Sequence, residues 1–558
     1  MISAPREVLV AWQASEVADL LDAVDQHVAL GRHAIGFVAY EAAPAFDTAA
    51  VVRDSDGPLA WFAVADALEE APPLANAGAP SALRWVPRTD RPQYDAAIAA
   101  IREAIARGDV YQVNHTLRLD IEGMDDPAAV YARLLAAQGA GYGAHLHTGT
   151  LEIVSASPEL FVERCGDHLV TRPMKGTTRR GRYAEEDDAL AAQLRGSEKE
   201  RAENVMIVDL LRNDLGHLAV PGSVRVISLF DVESRPTVLQ MTSTIEAQAR
   251  SGIGTRELFR ALFPCGSVTG APKLAAMAHI ARAEPDPRGV YCGAIGHIGP
   301  GEATFSVAIR TLQIDARTRR TVYGVGSGIT WDSAPDREYD EVVAKAAILT
   351  ASQPDFALLE TLRAESAQVL RREAHLDRLA ESARYFGWDA AALRRAAATA
   401  LDAVAARCDA PARLRLTVTR DAQCTVEVEP APAPIERPPA VRLATDPVDA
   451  SDVWLCHKTT HRAVYDAQRR AHPDAWDVIL WNTRGELTET TIGNLVLELD
   501  GALVTPARHC GLLNGILRRE LLAKGTLREQ VLTRDDLARA TACWVINALR
   551  GWTRVTVT

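Results

Sequence analysis

Apolar side chains recur at helical spacing in QYDAAIAAIREAIAR, residues 93–107, and the run stops at Gly108 with Arg107 in its last turn. A helix is predicted there. EKERAENVMIVDLLRNDL predicts another over 198–215, and a third is expected from about 335 to 350. Short strand-like runs fill the intervals: 35–42 (IGFVAYEA), 151–155 (LEIVS), 160–163 (LFVE), 222–230, 304–314 and 320–326. LFVERCGDHLVTR reads as two strands around a Gly-Asp turn. Strands and helices mix without a regular βαβ period, which predicts an α+β fold rather than a doubly wound sheet. No repeat of solenoid period is present.

Two breaks interrupt the later pattern. ASQPD (351–355) is short and polar, whereas EPAPAPIERPPA (429–440) is proline-rich and should be extended and semi-rigid. At 558 residues and 60.3 kDa the chain exceeds one core; about 150 residues per domain gives about four core-sized units. With 47% hydrophobic and 24% charged residues, it has enough apolar side chain to fill them. Acidic residues outnumber basic ones, 73 to 61, for a net charge of −12. That balance disfavours a general nucleic-acid or anionic-membrane surface, but not a local basic pocket. The eight cysteines contain no C-x-x-C pair, which suits neither a zinc site nor a secreted disulfide scaffold. With no secretory pattern at the start and no long apolar run, the expectation is a cytoplasmic chain without a membrane span.

Candidate chemistry sharpens the division. Glu200 and Glu203 share one face of a predicted helix, and Glu338 and Glu341 share a face of another, followed by Lys345. Two such faces offer hard oxygen ligands for Mg²⁺, although each pair taken alone reads as a solvated face with an i,i+4 salt bridge, such as Glu341 with Lys345. Lys175, in TRPMKGTTRRG, becomes a nucleophile only if desolvation lowers its pKa; otherwise it is a surface lysine. GVGSGI (324–329) and GSVTGAPK (266–273) lack the spacing of nucleotide loops, but both let backbone N–H groups approach an anion.

In order, GDVYQVN (108–114), SASPELF (155–161), RPMKGT (172–177), ERAENVMIVDLLRNDLG (200–216), LFPCGSVTGAPK (262–273), YCGAIG (291–296), VAIRT (307–311), GVGSGI and REYDEVVAKA (337–346) resemble the chorismate-utilising enzymes. That family includes anthranilate, isochorismate and salicylate synthases and component I of aminodeoxychorismate synthase. The resemblance covers about residues 90–350 and implies a two-lobed α/β sandwich. Anthranilate synthases carry alanine before Gly-Thr, where aminodeoxychorismate synthases carry lysine; here it is Lys175. The resemblance thus implies that Lys175 attacks C2 of chorismate and displaces the C4 hydroxyl, after which ammonia adds at C4 and expels the lysine. It implies Glu203 and Glu341 as direct Mg²⁺ ligands, Glu200 and Glu338 nearby or through water, and Glu159 as the acid/base carboxylate. Thr177, Gly270, Arg310, Tyr323, Gly326, Gly328 and Lys345 are implied as substrate contacts. Gln240 stands where many members have histidine, so no histidine acid is expected there. With no G-x-C-x-G elbow in the chain, ammonia is expected from a separate glutamine amidotransferase subunit.

The later residues carry a second constellation. HLDRL-x-x-SA with Arg378, K-T-T-x-R-x-x-Y with Lys458, E-x-T-x-x-N-L with Glu489, and LLNGILRREL (512–521) resemble the class IV, fold type IV, pyridoxal phosphate family. The resemblance covers about 355–558 and implies Lys458 as the Schiff-base lysine and Glu489 facing the pyridine nitrogen. It implies Arg378, Thr490, Thr491, Asn494, Gly515 and Ile516 as further cofactor contacts, with Thr361 lining the pocket. Arg378 lies in that family's small subdomain and the lysine lies beyond its linker. The expected domains are therefore 1–350 and 355–558, the latter divided into 355–428, a linker at 429–440, and 441–558. Together the two resemblances imply chorismate conversion to 4-amino-4-deoxychorismate, then elimination of pyruvate to give 4-aminobenzoate, a folate precursor. An anthranilate-type synthase joined to an amino acid aminotransferase, or a second half serving only assembly, are the alternatives. A homodimer through the second half is also expected.

Overall fold

The computed structural model describes residues 1–71, 83–124, 126–139, 141–350 and 354–558. Most of the predicted junction at 351–355 falls on 351–353, outside the described residues. The chain divides into two compact units, Met1–Arg180 with Leu190–Gln353, and Gly181–Ala189 with Pro354–Thr558.

The first unit is built on a ten-stranded and a seven-stranded sheet. Phe37, Trp61 and Ile295 of the larger sheet pack with Leu146 and Ile153 of the smaller in one apolar cluster, the inside of a sandwich. Helices cover the outer faces. Val17, Leu21, Ile207, Leu211 and Phe259 pack on the larger sheet, and Ile98, Ile101, Ala276 and Val342 on the smaller. The predicted helix at 93–107 runs Arg91–Ala106; the Asp90 carboxylate accepts from Gln93 N at 2.9 Å, and a proline occupies its first turn. The helix at 198–215 runs Glu198–Gly216, with the Ser197 hydroxyl accepting from Glu200 N at 3.4 Å. The third runs Pro335–Ala346 and ends in a short 3₁₀ turn.

Two strand expectations change. The single run at 304–314 is two strands, Glu302–Val307 in the larger sheet and Thr311–Asp315 in the smaller. The chain changes sheets between them, and Arg310 takes a φ of +53° at the crossing. The run at 35–42 is a strand only over His33–Val38; Tyr40–Ala45, which contains Pro44, is a 3₁₀ helix.

In the second unit, strands Gln368–Val369, Leu358–Glu365, Ala412–Val418 and Cys424–Pro430 form one antiparallel sheet. Alternation decides its faces. Leu414, Leu416 and Val418 are buried against helices Arg372–Tyr385 and Ala390–Ala405, while Arg413 and Arg415 face the other way. The expected linker therefore begins inside a strand, since Glu429 pairs with Arg413. An eight-stranded sheet forms the rest of the unit.

Residues Gly181–Ala189 belong to this unit, which sequence order did not foresee. Arg182 Nη1 donates to the carbonyls of Ala450 and His509 at 2.9 and 3.0 Å. The Arg182 carbonyl lies 3.0 Å from Nε2 of His457, the residue before Lys458. No helix among the described residues is long and apolar enough to cross a membrane.

Candidate active sites

In the first unit the strand Met174–Arg179 carries Lys175. Its backbone is pinned to the long helix: Asn204 Nδ2 donates to the Lys175 carbonyl at 3.5 Å, and Ser243 Oγ donates to Asn204 Oδ1 at 2.6 Å. Opposite lies Gly328 of the strand Thr321–Ile329. A Cβ there would stand 2.3 Å from Gln112 Nε2 and 3.2 Å from Lys175 Nζ, so the close approach requires glycine. Glu159 is buried, with no hydrogen-bond partner for Oε1 among the described residues. Burial pushes its carboxyl up to about 7, against the lowering influence of Ser267 and Lys175. A buried acid of that strength next to a lysine is suited to proton transfer near neutral pH.

Glu200 and Glu203 on one helix lie within electrostatic reach of Glu341 on the other, and Glu338 acts on Glu200 as well. Burial raises the first two carboxyls, and the charge of Glu341 raises both further. Glu341 is lowered: burial works against this, but Lys345, 2.6 Å away, outweighs it. Ser327 Oγ donates to the buried Glu338 at 2.6 Å. This mutual repulsion among oxygen donors fits a divalent cation, although no three acidic, histidine or cysteine side chains among the described residues form a closed ligand group. Lys345 Nζ also donates to the Gly326 carbonyl at 2.8 Å, and Arg310 Nη1 to the Lys345 carbonyl at 2.7 Å, which joins these three residues. Gly270 pairs with Val113 beside Gln112. Thr177 accepts from Gln240 Nε2 at 3.3 Å, so the glutamine in the histidine position reaches the lysine strand.

Tyr323 sits differently from the other expected contacts. Strand alternation puts it on the side of Ser327, away from Gly324, Gly326 and Gly328, and its ring is fully buried in the core of the smaller sheet. Burial raises its hydroxyl, and Arg310 is the charge that opposes the rise. Gln112 is the residue missed by sequence. It is 1% exposed and neither side-chain polar atom has a partner among the described residues, so its amide is free to bond a polar ligand. Its signal lay inside GDVYQVN.

The second unit holds a cavity of about 470 Å³. Arg378, Lys458, Glu489, Thr490, Thr491, Asn494, Gly515 and Ile516 all line it, as does Thr361. Burial lowers Lys458 to about 8, and Arg378 is the strongest charge acting in the same direction. Burial raises Glu489 to about 7; the Tyr465 hydroxyl donates to it at 2.7 Å and Leu513 N at 3.1 Å. Asn494 Nδ2 donates to the Leu513 carbonyl at 2.8 Å. A Cβ at Gly515 would lie 2.1 Å from Asn494 Oδ1, so this turn at the head of helix Ile516–Ala523 requires glycine. Arg378 is fixed by Glu360, which accepts from Nε at 2.9 Å and from Nη2 at 2.5 Å. His375 Nδ1 lies 2.7 Å from the same carboxylate. Although burial opposes it, Arg378 and His375 hold Glu360 at about 2. Tyr465 closes the K-T-T-x-R-x-x-Y motif and Glu360 precedes Thr361, but their partners were not legible in the sequence. A buried lysine of lowered pKa, an under-neutralised acid, a fixed arginine and a helix N-terminus fit the aldehyde, ring nitrogen and phosphate of pyridoxal phosphate.

The chain belongs to the chorismate binding enzyme family, whose model matches residues 4–351. Residues 357–557 match the class IV amino-transferase family. Aminodeoxychorismate synthase component 1 of Bacillus subtilis is 39% identical over 254 residues, 45% of this chain and 54% of that protein. Anthranilate synthase component 1 of Streptomyces coelicolor is also 39% identical, over 299 residues, 51% of this chain and 58% of that protein. The chain thus spans a little over half the length of these relatives, and overall identity does not separate the two activities. The solved anthranilate synthase component I of Streptococcus pneumoniae superposes with a TM-score of 0.54 at 26% identity, covering 63% of this chain and 93% of that one.

Proposed function

We propose that the first unit aminates chorismate to 4-amino-4-deoxychorismate and that the second eliminates pyruvate from it to give 4-aminobenzoate. The observation that carries this is Lys175, whose Nζ stands against Gly328 beside Gln112, close enough to Glu159 to act on its carboxyl. As a free amine, Lys175 Nζ bonds to C2 while both ring double bonds shift and the C4–O bond breaks; Glu159 delivers the proton with which the hydroxyl leaves as water and then takes up the proton shed by Nζ. Ammonia, supplied by a separate amidotransferase, then bonds to C4, both double bonds return, and the C2–Nζ bond breaks as the proton shed by the new amine passes through Glu159 to the departing lysine. Alanine has no atom to form that bond, which is the physical basis for choosing amination at C4 over anthranilate formation. Glu200, Glu203, Glu338 and Glu341 would hold Mg²⁺, which supplies positive charge for the substrate's ring carboxylate.

In the second unit, Lys458 and Glu489 would hold pyridoxal phosphate, with Arg378 and the Gly515 turn at its phosphate. The cofactor, when bound, supplies an electron sink for the substrate amine's carbon. Lys458 removes the C4 proton as general base, and Glu489 keeps the proton on the ring nitrogen, oriented by Tyr465 and Asn494. The C3–O bond then breaks, the enolpyruvyl fragment takes up a proton as pyruvate, and the ring becomes aromatic.

Single variants separate the steps. Lys458→Ala should still consume chorismate with ammonium and Mg²⁺ and accumulate 4-amino-4-deoxychorismate without pyruvate. Lys175→Ala should form neither the aminated intermediate nor 4-aminobenzoate. Wild-type rates of 4-aminobenzoate formation in Lys175→Ala would overturn the assignment.

A further inference from the structure

Five arginines line the cavity of the second unit: Arg378, Arg413, Arg415, Arg462 and Arg550. Three of them are already matched by carboxylates. Arg378 is bound by Glu360, Arg413 Nη1 lies 2.9 Å from Glu429, and Arg415 Nη1 lies 3.3 Å from Glu427. Arg462 and Arg550 have no carboxylate partner among the described residues. Arg462 Nη2 donates to the Thr491 carbonyl at 2.7 Å, and its guanidinium lies 4.6 Å from the Tyr465 ring centroid. Arg550 Nη1 donates to the Ala433 carbonyl at 3.3 Å. Neutral carbonyls hold these side chains in place without cancelling their charge, so both retain donors and field for an anion.

We propose that Arg462 and Arg550 receive the two carboxylates of a dianionic substrate and so restrict this cavity to cyclic dicarboxylates. The inference rests on the lyase reading above and deepens it. In 4-amino-4-deoxychorismate the reacting C4 lies beside the enolpyruvyl-bearing C3 and across the ring from the C1 carboxylate. One anionic arm is therefore close to the amine and the other remote. Arg462 suits the near arm, because its charge acts on both Lys458 and Glu489. Arg550 follows Asn547 in a separate turn of the cavity wall, whose Asn547 Oδ1 accepts from Arg550 N at 2.8 Å, and it suits the remote arm. An amino acid with one carboxylate and an apolar side chain would leave one guanidinium unmatched.

The test uses the full chain loaded with pyridoxal phosphate and two non-reactive probes, 3-(carboxymethoxy)benzoate and its monoacid counterpart 3-methoxybenzoate. Calorimetry should give the diacid an advantage of about tenfold or more, the scale of one charge-assisted contact. In Arg462→Met and Arg550→Met the advantage should shrink to within about threefold, while monoacid affinity changes little in at least one of the two. Cofactor absorbance and thermal melting matched to wild type establish that each variant is folded and loaded. Charge-preserving Arg462→Lys and Arg550→Lys should recover part of the preference, which keeps the test decisive if a methionine variant does not fold. No diacid preference in the wild type, or a full preference in the folded methionine variants, would overturn the inference. Pyruvate release from 4-amino-4-deoxychorismate is read separately. If it is absent while the preference depends on the arginines, the lyase reading fails and the carboxylate site stands. If pyruvate is released while the preference is independent of the arginines, the carboxylate site fails and the lyase reading stands.

Discussion

Replacing Glu360 with glutamine removes one charge and almost no volume from the centre of the cofactor unit. The side chain is 2% exposed and meets Arg378 Nε, Arg378 Nη2 and His375 Nδ1. Lowering a carboxyl from 4.5 to about 2 corresponds to about 3 kcal/mol. Breaking a buried ion pair by removing one partner costs about 3–5 kcal/mol by independent measurement in other proteins, so the two scales agree. The value is depressed, so the stabilisation is fully present above about pH 4.5 and is lost as pH falls towards about 2. In a unit of this size about 3 kcal/mol is worth roughly 6–12 °C in melting temperature. Glu360→Gln should therefore lower the second unit's thermal transition by that amount at pH 7, and the gap to wild type should narrow as the pH is lowered through 4. Pyridoxal phosphate affinity, followed by the bound cofactor's visible absorbance, should fall about tenfold or more, because Arg378 loses the partner that orients it. Amination of chorismate should be unaffected. An unchanged melting temperature together with cofactor affinity within about twofold of wild type would refute the reasoning.

Gly515→Ala places a methyl group against Asn494 Oδ1, and a raised dissociation constant for pyridoxal phosphate is expected from equilibrium dialysis. Chelation with EDTA should stop chorismate consumption, Mg²⁺ should restore it, and pyruvate release from added 4-amino-4-deoxychorismate should continue throughout. Because Lys458 acts as a base only when neutral, kcat for pyruvate release should rise with pH up to about 8. A pH–rate profile flat between about pH 6 and 9 would contradict that role.

Much of both sites could be read from motifs, because local sequence fixes local chemistry. All eight residues expected at the cofactor line one cavity although they come from helix Arg372–Tyr385, strands of the eight-stranded sheet, the head of helix Ile516–Ala523 and the turns between. The helices bearing the four glutamates have the expected extents within a few residues, since their caps and apolar spacing are local signals. What sequence did not show was direction and partnership. Tyr323 is a motif neighbour of the glycine run, yet the alternation of its strand turns its ring into the core. Arg310 looked like the middle of one strand and is the point where the chain changes sheets. Glu360 is an ordinary strand carboxylate in LLETLR until helix Arg372–Tyr385 packs His375 and Arg378 against it. The inclusion of Gly181–Ala189 in the second unit depends on contacts hundreds of residues distant in sequence, which no local pattern encodes.

At stake is whether one chain carries chorismate through C4 amination to an aromatic product by two lysine-dependent steps. Product identification decides it, after incubating the full chain with chorismate, ammonium, Mg²⁺ and pyridoxal phosphate. The expected product is the aminobenzoate with its amine para to the carboxylate, with pyruvate released in equal amount. The ortho isomer, or pyruvate formed at the same rate when Lys458 is replaced by alanine, would contradict the two-step chemistry.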